Sequence, residues 1–196
     1  SIPHEVIKLE PGKDLPARIL DDYCDKGYTG LLVNAHETST GHLYSLKSLG
    51  KFCKVQNLCF VVDAISSFLA DDYLMDSWGI DATILSSQKA LALDPGLSAV
   101  ILNKRAIKRI ELNEVRSLYF DFKSYIDNMR RGQTPFTPAV SIILQMHKRL
   151  REIDEIGVDA VRNSIKSLAS HFRNNLDDLP LKIFPERSSS ALTALS

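Results

Sequence analysis

Short apolar runs alternate with polar turns and with stretches of helical spacing along this chain, and that alternation predicts a strand–helix–strand protein. Residues 58–63 are a continuous apolar run ending in a carboxylate, the pattern of a strand buried on both faces of a parallel sheet, and residues 30–35 are a second apolar strand. Residues 82–85 form a shorter run of the same kind. Residues 97–102 return as another buried strand after the Pro95-Gly96 turn. Between these runs the spacing turns helical. Asp14 is placed to cap a helix over residues 15–25 that Gly27 would stop, and residues 43–56 form a second. Residues 4–9 alternate as a strand does and end at Pro11-Gly12.

The second half reads mainly as helix. Asn103 can cap a helix running to Leu112. Residues 119–125 are aromatic and carry no clear period, and residues 132–138 have a loop's composition. That loop closes with Thr137 as N-cap and Pro138 at the first helical position. Val140, Ile143, Leu144, Leu150 and Ile153 then lie on one helical face, and Val158, Val161, Ile165, Leu168, Phe172 and Leu176 on another. Residues 181–184 offer a last strand. Strands joined by helices at this spacing imply right-handed parallel crossovers, hence an α/β fold.

Composition removes several function classes. The 196 residues, 44% of them hydrophobic, are enough to bury a sizeable core. Lys plus Arg equals Asp plus Glu at 24 each, which argues against a polyanionic partner. The basic pairs Lys104-Arg105, Lys108-Arg109 and Arg130-Arg131 are interleaved with acidic residues and read as solvated faces, so no nucleic acid is expected. Cys24, Cys53 and Cys59 make no CxxC pair, which fits a reducing, cytoplasmic setting. No apolar run approaches the roughly 18 residues of a membrane span, so no membrane partner is expected. His36 and His42 lack the carboxylate–cysteine cluster of a metal site.

Two residues carry candidate chemistry. Lys89 follows the 82–85 run and would sit at the carboxyl end of a strand, where open α/β sheets bind ligands. It is either a surface lysine or an amine that forms a Schiff base with a carbonyl cofactor. Asp63 ends the 58–63 run, as a cap for the next turn or as a ligand-facing anion. Together they match what pyridoxal phosphate chemistry requires: a lysine that holds the cofactor and a carboxylate that keeps its pyridine nitrogen protonated.

Four segments in register extend this pairing. Glu37-Thr-Ser-Thr-Gly41, Val61-Val-Asp-Ala-Ile-Ser-Ser67, Asp81-Ala with Ser86-Ser-Gln-Lys-Ala-Leu91, and Pro95-Gly-Leu-Ser98 resemble the class V aminotransferases of fold type I. The order and spacing are most similar to the alanine-glyoxylate and 2-aminoethylphosphonate-pyruvate aminotransferase group. The resemblance implies a three-layer, mostly parallel sheet flanked by helices, forming part of a pyridoxal phosphate-binding large domain over residues 1–187. Residues 188–196 would be the entry to a small C-terminal domain. It implies an amino group moved from an amino acid or aminoalkylphosphonate to a small 2-oxo acid such as pyruvate or glyoxylate.

By the same resemblance, Lys89 holds the cofactor and Asp63 pairs with the pyridinium. Thr38 contacts the 3-oxygen, with His36 and Ser39 as neighbours, and Gln88 anchors the phosphate with help from Ser86 or Ser87. Thr134 and Thr137 would reach the phosphate of a neighbouring subunit, making the active site a shared feature of a homodimer. Gln88 before Lys89 favours transamination, because desulfurases of this family typically carry His-Lys there. Leu69-Ala70 stands where family members often place glycines. Three parts that the resemblance leads one to expect do not occur in these residues: a glycine-rich phosphate turn, an aromatic that stacks on the pyridine ring, and a carboxylate-binding arginine. Other members of the scaffold, a desulfurase or lyase, or a non-catalytic scaffold chain, are the alternatives.

Overall fold

A computed structural model describes residues 2–177 and 179–196. Its centre is a four-stranded sheet in the order β1 (Gly30–Asn34), β4 (Cys59–Asp63), β5 (Ala82–Ser86), β6 (Ser98–Leu102). β1, β4 and β5 are parallel, and β6 runs antiparallel to β5. A two-stranded ribbon, β2 (His36–Glu37) and β3 (His42–Leu43), follows β1. Helices flank this mostly parallel sheet, as expected for the α/β class.

Central burial follows the strand period. Phe60 and Val62 of β4 are fully buried, packed with Leu46, Leu49 and Cys53 of α2 (Leu46–Val55) and with Leu20, Ala35 and Ile80. Gly50 of α2 lies against the Trp78 backbone, so close that an added Cβ would overlap the Trp78 carbonyl oxygen. A second, smaller cluster joins Leu69 and Leu91 to Ile153 of α5 (Val140–Ile156), with Val161 of α6 (Val158–Arg173) against it. At the amino end of β5, buried Asp81 accepts from Arg105, Asn103 and the Phe60 N–H, tying α3 (Lys104–Leu112) to two strands.

Several expectations are corrected. Residues 4–9 form no strand: among the described residues no backbone hydrogen bond joins them to a neighbouring strand. The first helix, α1 (Ala17–Asp21), is one short turn and a half instead of residues 15–25. β6 is half open instead of buried, while β1, the apolar strand expected over residues 30–35, lies at the sheet edge with Leu32 75% exposed. Residues 181–184 make only a bridge, Ile183 to Leu195. The aromatic stretch resolves into α4 (Phe122–Arg130), because Asp121 accepts from the Lys123 and Ser124 N–H groups as its N-cap. Helix α5 begins at Val140 after Ala139, so Thr137 is no cap and Pro138 lies outside the helix. Asn103 does cap α3, accepting from the Ala106 N–H.

The 187–190 segment lies on the body of the fold. Leu43 N–H donates to the Arg187 carbonyl, Ser189 N–H to Gly41, and Asp71 accepts from the Ser189 hydroxyl and the Ser190 N–H. Among the described residues no helix is long and apolar enough to cross a membrane, and no cluster of three or more His, Cys, Asp or Glu could hold a metal ion.

Candidate active site

Parallel pairing sets the first relationship. Asp63 is the last residue of β4 and lies opposite Asn34 of β1 on one side and Ile84 of β5 on the other. Lys89 leaves the same carboxyl edge, three residues beyond the end of β5. Such an edge between adjacent parallel strands is where an α/β sheet exposes a ligand crevice. Asp63 Oδ1 accepts from the Ile65 N–H at 2.9 Å, which turns the chain sharply after the strand.

That turn is clamped to the segment after β1 through Ser66. The Thr38 and Ser66 hydroxyls lie 2.9 Å apart, and His36 Nδ1 sits 3.3 Å from the Ser66 carbonyl. A carbonyl only accepts, so Nδ1 carries the proton and the neutral ring leaves Nε2 as an acceptor. That Nε2 is buried and has no partner among the described residues. Burial holds the His36 pKa below the ordinary histidine value, and the Lys89 charge pushes the same way. The Ser66 carbonyl and the Asp71 and Glu37 carboxylates oppose it.

The strand-to-lysine turn is similarly wired. The Ser86 hydroxyl donates to Gln88 Oε1, so the amide oxygen is occupied and the NH₂ keeps its donors. Ser87 is fully buried, donates to the Asp94 carbonyl at 2.7 Å and accepts from the Leu97 N–H at 3.3 Å. It therefore holds the loop and offers nothing to a ligand. Lys89 is exposed, so the described residues do not themselves desolvate its amine. Its backbone sits at φ 142°, a region that non-glycine residues avoid and that tends to occur at ligand sites.

Other expected residues are less engaged with this edge. The Ser39 hydroxyl donates to Glu37 Oε1 at 2.7 Å, and this bond, with the one from the Ser39 N–H, keeps the Glu37 carboxyl below the usual range. Thr134 donates to the Phe136 carbonyl, Thr137 is exposed, and no hydrogen bond among the described residues joins either to the Asp63–Lys89 edge. A cleft of about 410 Å³ opens elsewhere, between Tyr44, Asp71, Arg162 and Lys166. Nothing in the sequence gives Ser66 a role, and His36 stands there only as a neighbour of Thr38. The two serines after Asp63 were the available signal, but nothing local says which faces the Thr38 loop.

The Aminotransferase class-V family profile matches residues 5–194. An uncharacterized aminotransferase of Methanocaldococcus jannaschii is 30% identical over 182 residues, covering 91% of this chain and 46% of that protein. The L-aspartate–glyoxylate aminotransferase of Paracoccus denitrificans is 29% identical over 194 residues, 94% of this chain and 49% of its own length. Among solved structures, a subgroup IV aspartate aminotransferase from Thermus thermophilus superposes with a TM-score of 0.85 at 27% identity, covering 94% of this chain and 51% of that one. The chain thus spans about half the length of the curated relatives it matches.

Proposed function

Because the chain belongs to the class-V aminotransferase family, we propose that it carries the cofactor-binding residues of a pyridoxal phosphate-dependent aminotransferase acting between an amino acid or aminoalkylphosphonate and a small 2-oxo acid. The observation that carries this reading is the departure of Asp63 and Lys89 from one edge of two adjacent parallel strands. The relatives that act on glyoxylate support the acceptor class.

The residues present fit the cofactor. Gln88 keeps amide donors for an anion, Thr38 is exposed, and His36 Nε2 has no partner among the described residues. When bound, pyridoxal phosphate supplies an electron-withdrawing ring that stabilises negative charge on the substrate's α carbon. Lys89 would hold the cofactor through its amine and would serve as the base that carries a proton to and from the substrate's α carbon. Asp63 would keep the pyridine nitrogen protonated, Thr38 would donate to the 3-oxygen with Ser39 as its neighbour, and Gln88 would bind the phosphate with Ser86. Thr134 and Thr137, on an exposed loop, serve the neighbouring subunit of a homodimer. A cytoplasmic location suits the three free cysteines.

A persulfide route finds no support in the cysteines here. Burial pushes Cys53 up to about 12 and raises Cys59 as well, which disfavours the thiolate, and Cys59 opens β4 at the end opposite Asp63.

The reading is tested on the full-length protein by visible absorbance and borohydride reduction. Wild type is expected to retain the reduced cofactor on Lys89, and Lys89→Ala is expected to lose it. Retention at another residue in Lys89→Ala would overturn the assignment.

A further inference from the structure

The hydroxyls of Thr38 and Ser66, 2.9 Å apart, can share only one proton between them. If Thr38 donates to Ser66, it has nothing left for another acceptor; if it accepts from Ser66, its own proton is free. Resting on the proposed function, in which Thr38 donates to the cofactor's 3-oxygen, we propose that Ser66 is a positioning residue that orders the Thr38 proton toward that oxygen by donating to Thr38.

The turn holds the Ser66 backbone in place beside Thr38. Its carbonyl is taken by His36 Nδ1 at 3.3 Å. The flanking backbone is closed by Ser67 N–H and Phe68 N–H, both donating to the Ala64 carbonyl at 3.2 and 2.9 Å. The turn itself starts at Asp63, whose Oδ1 accepts from Ile65 N–H. The residue facing the pyridine nitrogen and the one orienting the 3-oxygen donor therefore share one four-residue bend. Donors in series polarise one another, so a hydroxyl that accepts a bond becomes a better donor. Negative charge on the 3-oxygen is the species stabilised.

The test is a pH titration of the visible band of the pyridoxal phosphate-loaded full-length protein, together with cofactor affinity. Ser66→Ala is expected to move the titration midpoint upward by about 0.5 pH unit and weaken binding about 3-fold, the scale of one modest hydrogen bond. Ser66→Thr restores both. Thr38→Val produces the larger change, and adding Ser66→Ala to it changes neither readout further. An unmoved midpoint and affinity in Ser66→Ala would sink the proposal, as would an equal Ser66→Ala effect in the Thr38→Val background, which is what simple turn destabilisation produces. Failure of wild type to develop the band or to label Lys89 overturns the functional reading itself, and this inference with it.

Discussion

The Asp81 carboxylate, fully buried, and the half-exposed Arg105 guanidinium meet through two hydrogen bonds at the amino end of β5, the Nε contact at 2.7 Å. Burial pushes the Asp81 pKa up, but the bonds from Arg105, the Phe60 N–H and Asn103 together outweigh it and hold the carboxyl below its ordinary value. Arg105→Ala leaves that buried charge with only two neutral donors. The expected loss is about 3 kcal/mol, the low end for breaking a buried pair because Arg105 is partly in water, and it is read by urea denaturation. A carboxyl with a depressed folded pKa contributes stability above its unfolded pKa and loses it as pH falls through the folded one. The difference between wild type and Asp81→Asn should therefore shrink below about pH 4.

Gly50 sits in the middle of α2, where alanine ordinarily stabilises a helix by about 1 kcal/mol. Here the added Cβ would overlap the Trp78 carbonyl oxygen, a backbone atom that cannot rotate away. Gly50→Ala is expected to lower thermal stability by at least about 2 kcal/mol despite the propensity gain. A variant as stable as wild type would show that the Trp78 segment moves freely.

Leu69 occupies a position where the family resemblance favours glycine, and its φ of 63° explains that preference. Relieving the conformation gains about 1 kcal/mol. Leu69 is also buried against Leu91 and Ile153, and removing such a side chain costs about 2–5 kcal/mol. Burial wins, so Leu69→Gly is expected to destabilise; a calorimetric melting temperature above wild type would reverse that ranking.

These cases show what the sequence made legible. Asp63 and Lys89 could be placed because each follows an apolar run, and a run's end is a local property. Which strands lie at an edge is not local: the run containing Leu32 reads like that containing Phe60, yet only the second has strands on both sides. Residues 4–9 alternate correctly but find no partner strand. The Thr38–Ser66 contact spans 28 positions and Asp81–Arg105 spans 24, so neither pairing appears in any window of the chain. The Thr137-Pro138 signal was genuine capping chemistry overtaken by a helix that starts two residues later.

Gln88 offers a test of the phosphate assignment by charge alone. With its amide oxygen bonded by Ser86, the remaining NH₂ suits an anion. Gln88→Glu keeps the shape and the Ser86 bond but turns the donor end into a negative oxygen. Pyridoxal phosphate affinity is expected to fall about 10- to 100-fold, the scale of a lost charge-assisted bond plus repulsion. Titration by fluorescence with unchanged affinity would place the phosphate elsewhere.

His36 gives the fold a pH dependence of defined sign. His36 is 4% exposed, with Nδ1 on the Ser66 carbonyl and Nε2 without a partner among the described residues, so a second proton would create a buried donor with nowhere to go. Burial accordingly lowers its pKa in the folded state. The unfolded chain takes up that proton near pH 6.5, so below this value unfolding gains a proton the native state refuses. Stability should be level in this respect above about pH 6.5 and fall below it, by at most about 1.4 kcal/mol per pH unit for this one group. His36→Asn keeps a donor for the Ser66 carbonyl without a titrating ring. Melting temperatures from pH 5 to 8 are expected to show a shallower acid-side decline in His36→Asn than in wild type. Parallel curves would mean that the ring accepts its proton inside the fold, which requires a partner for Nε2.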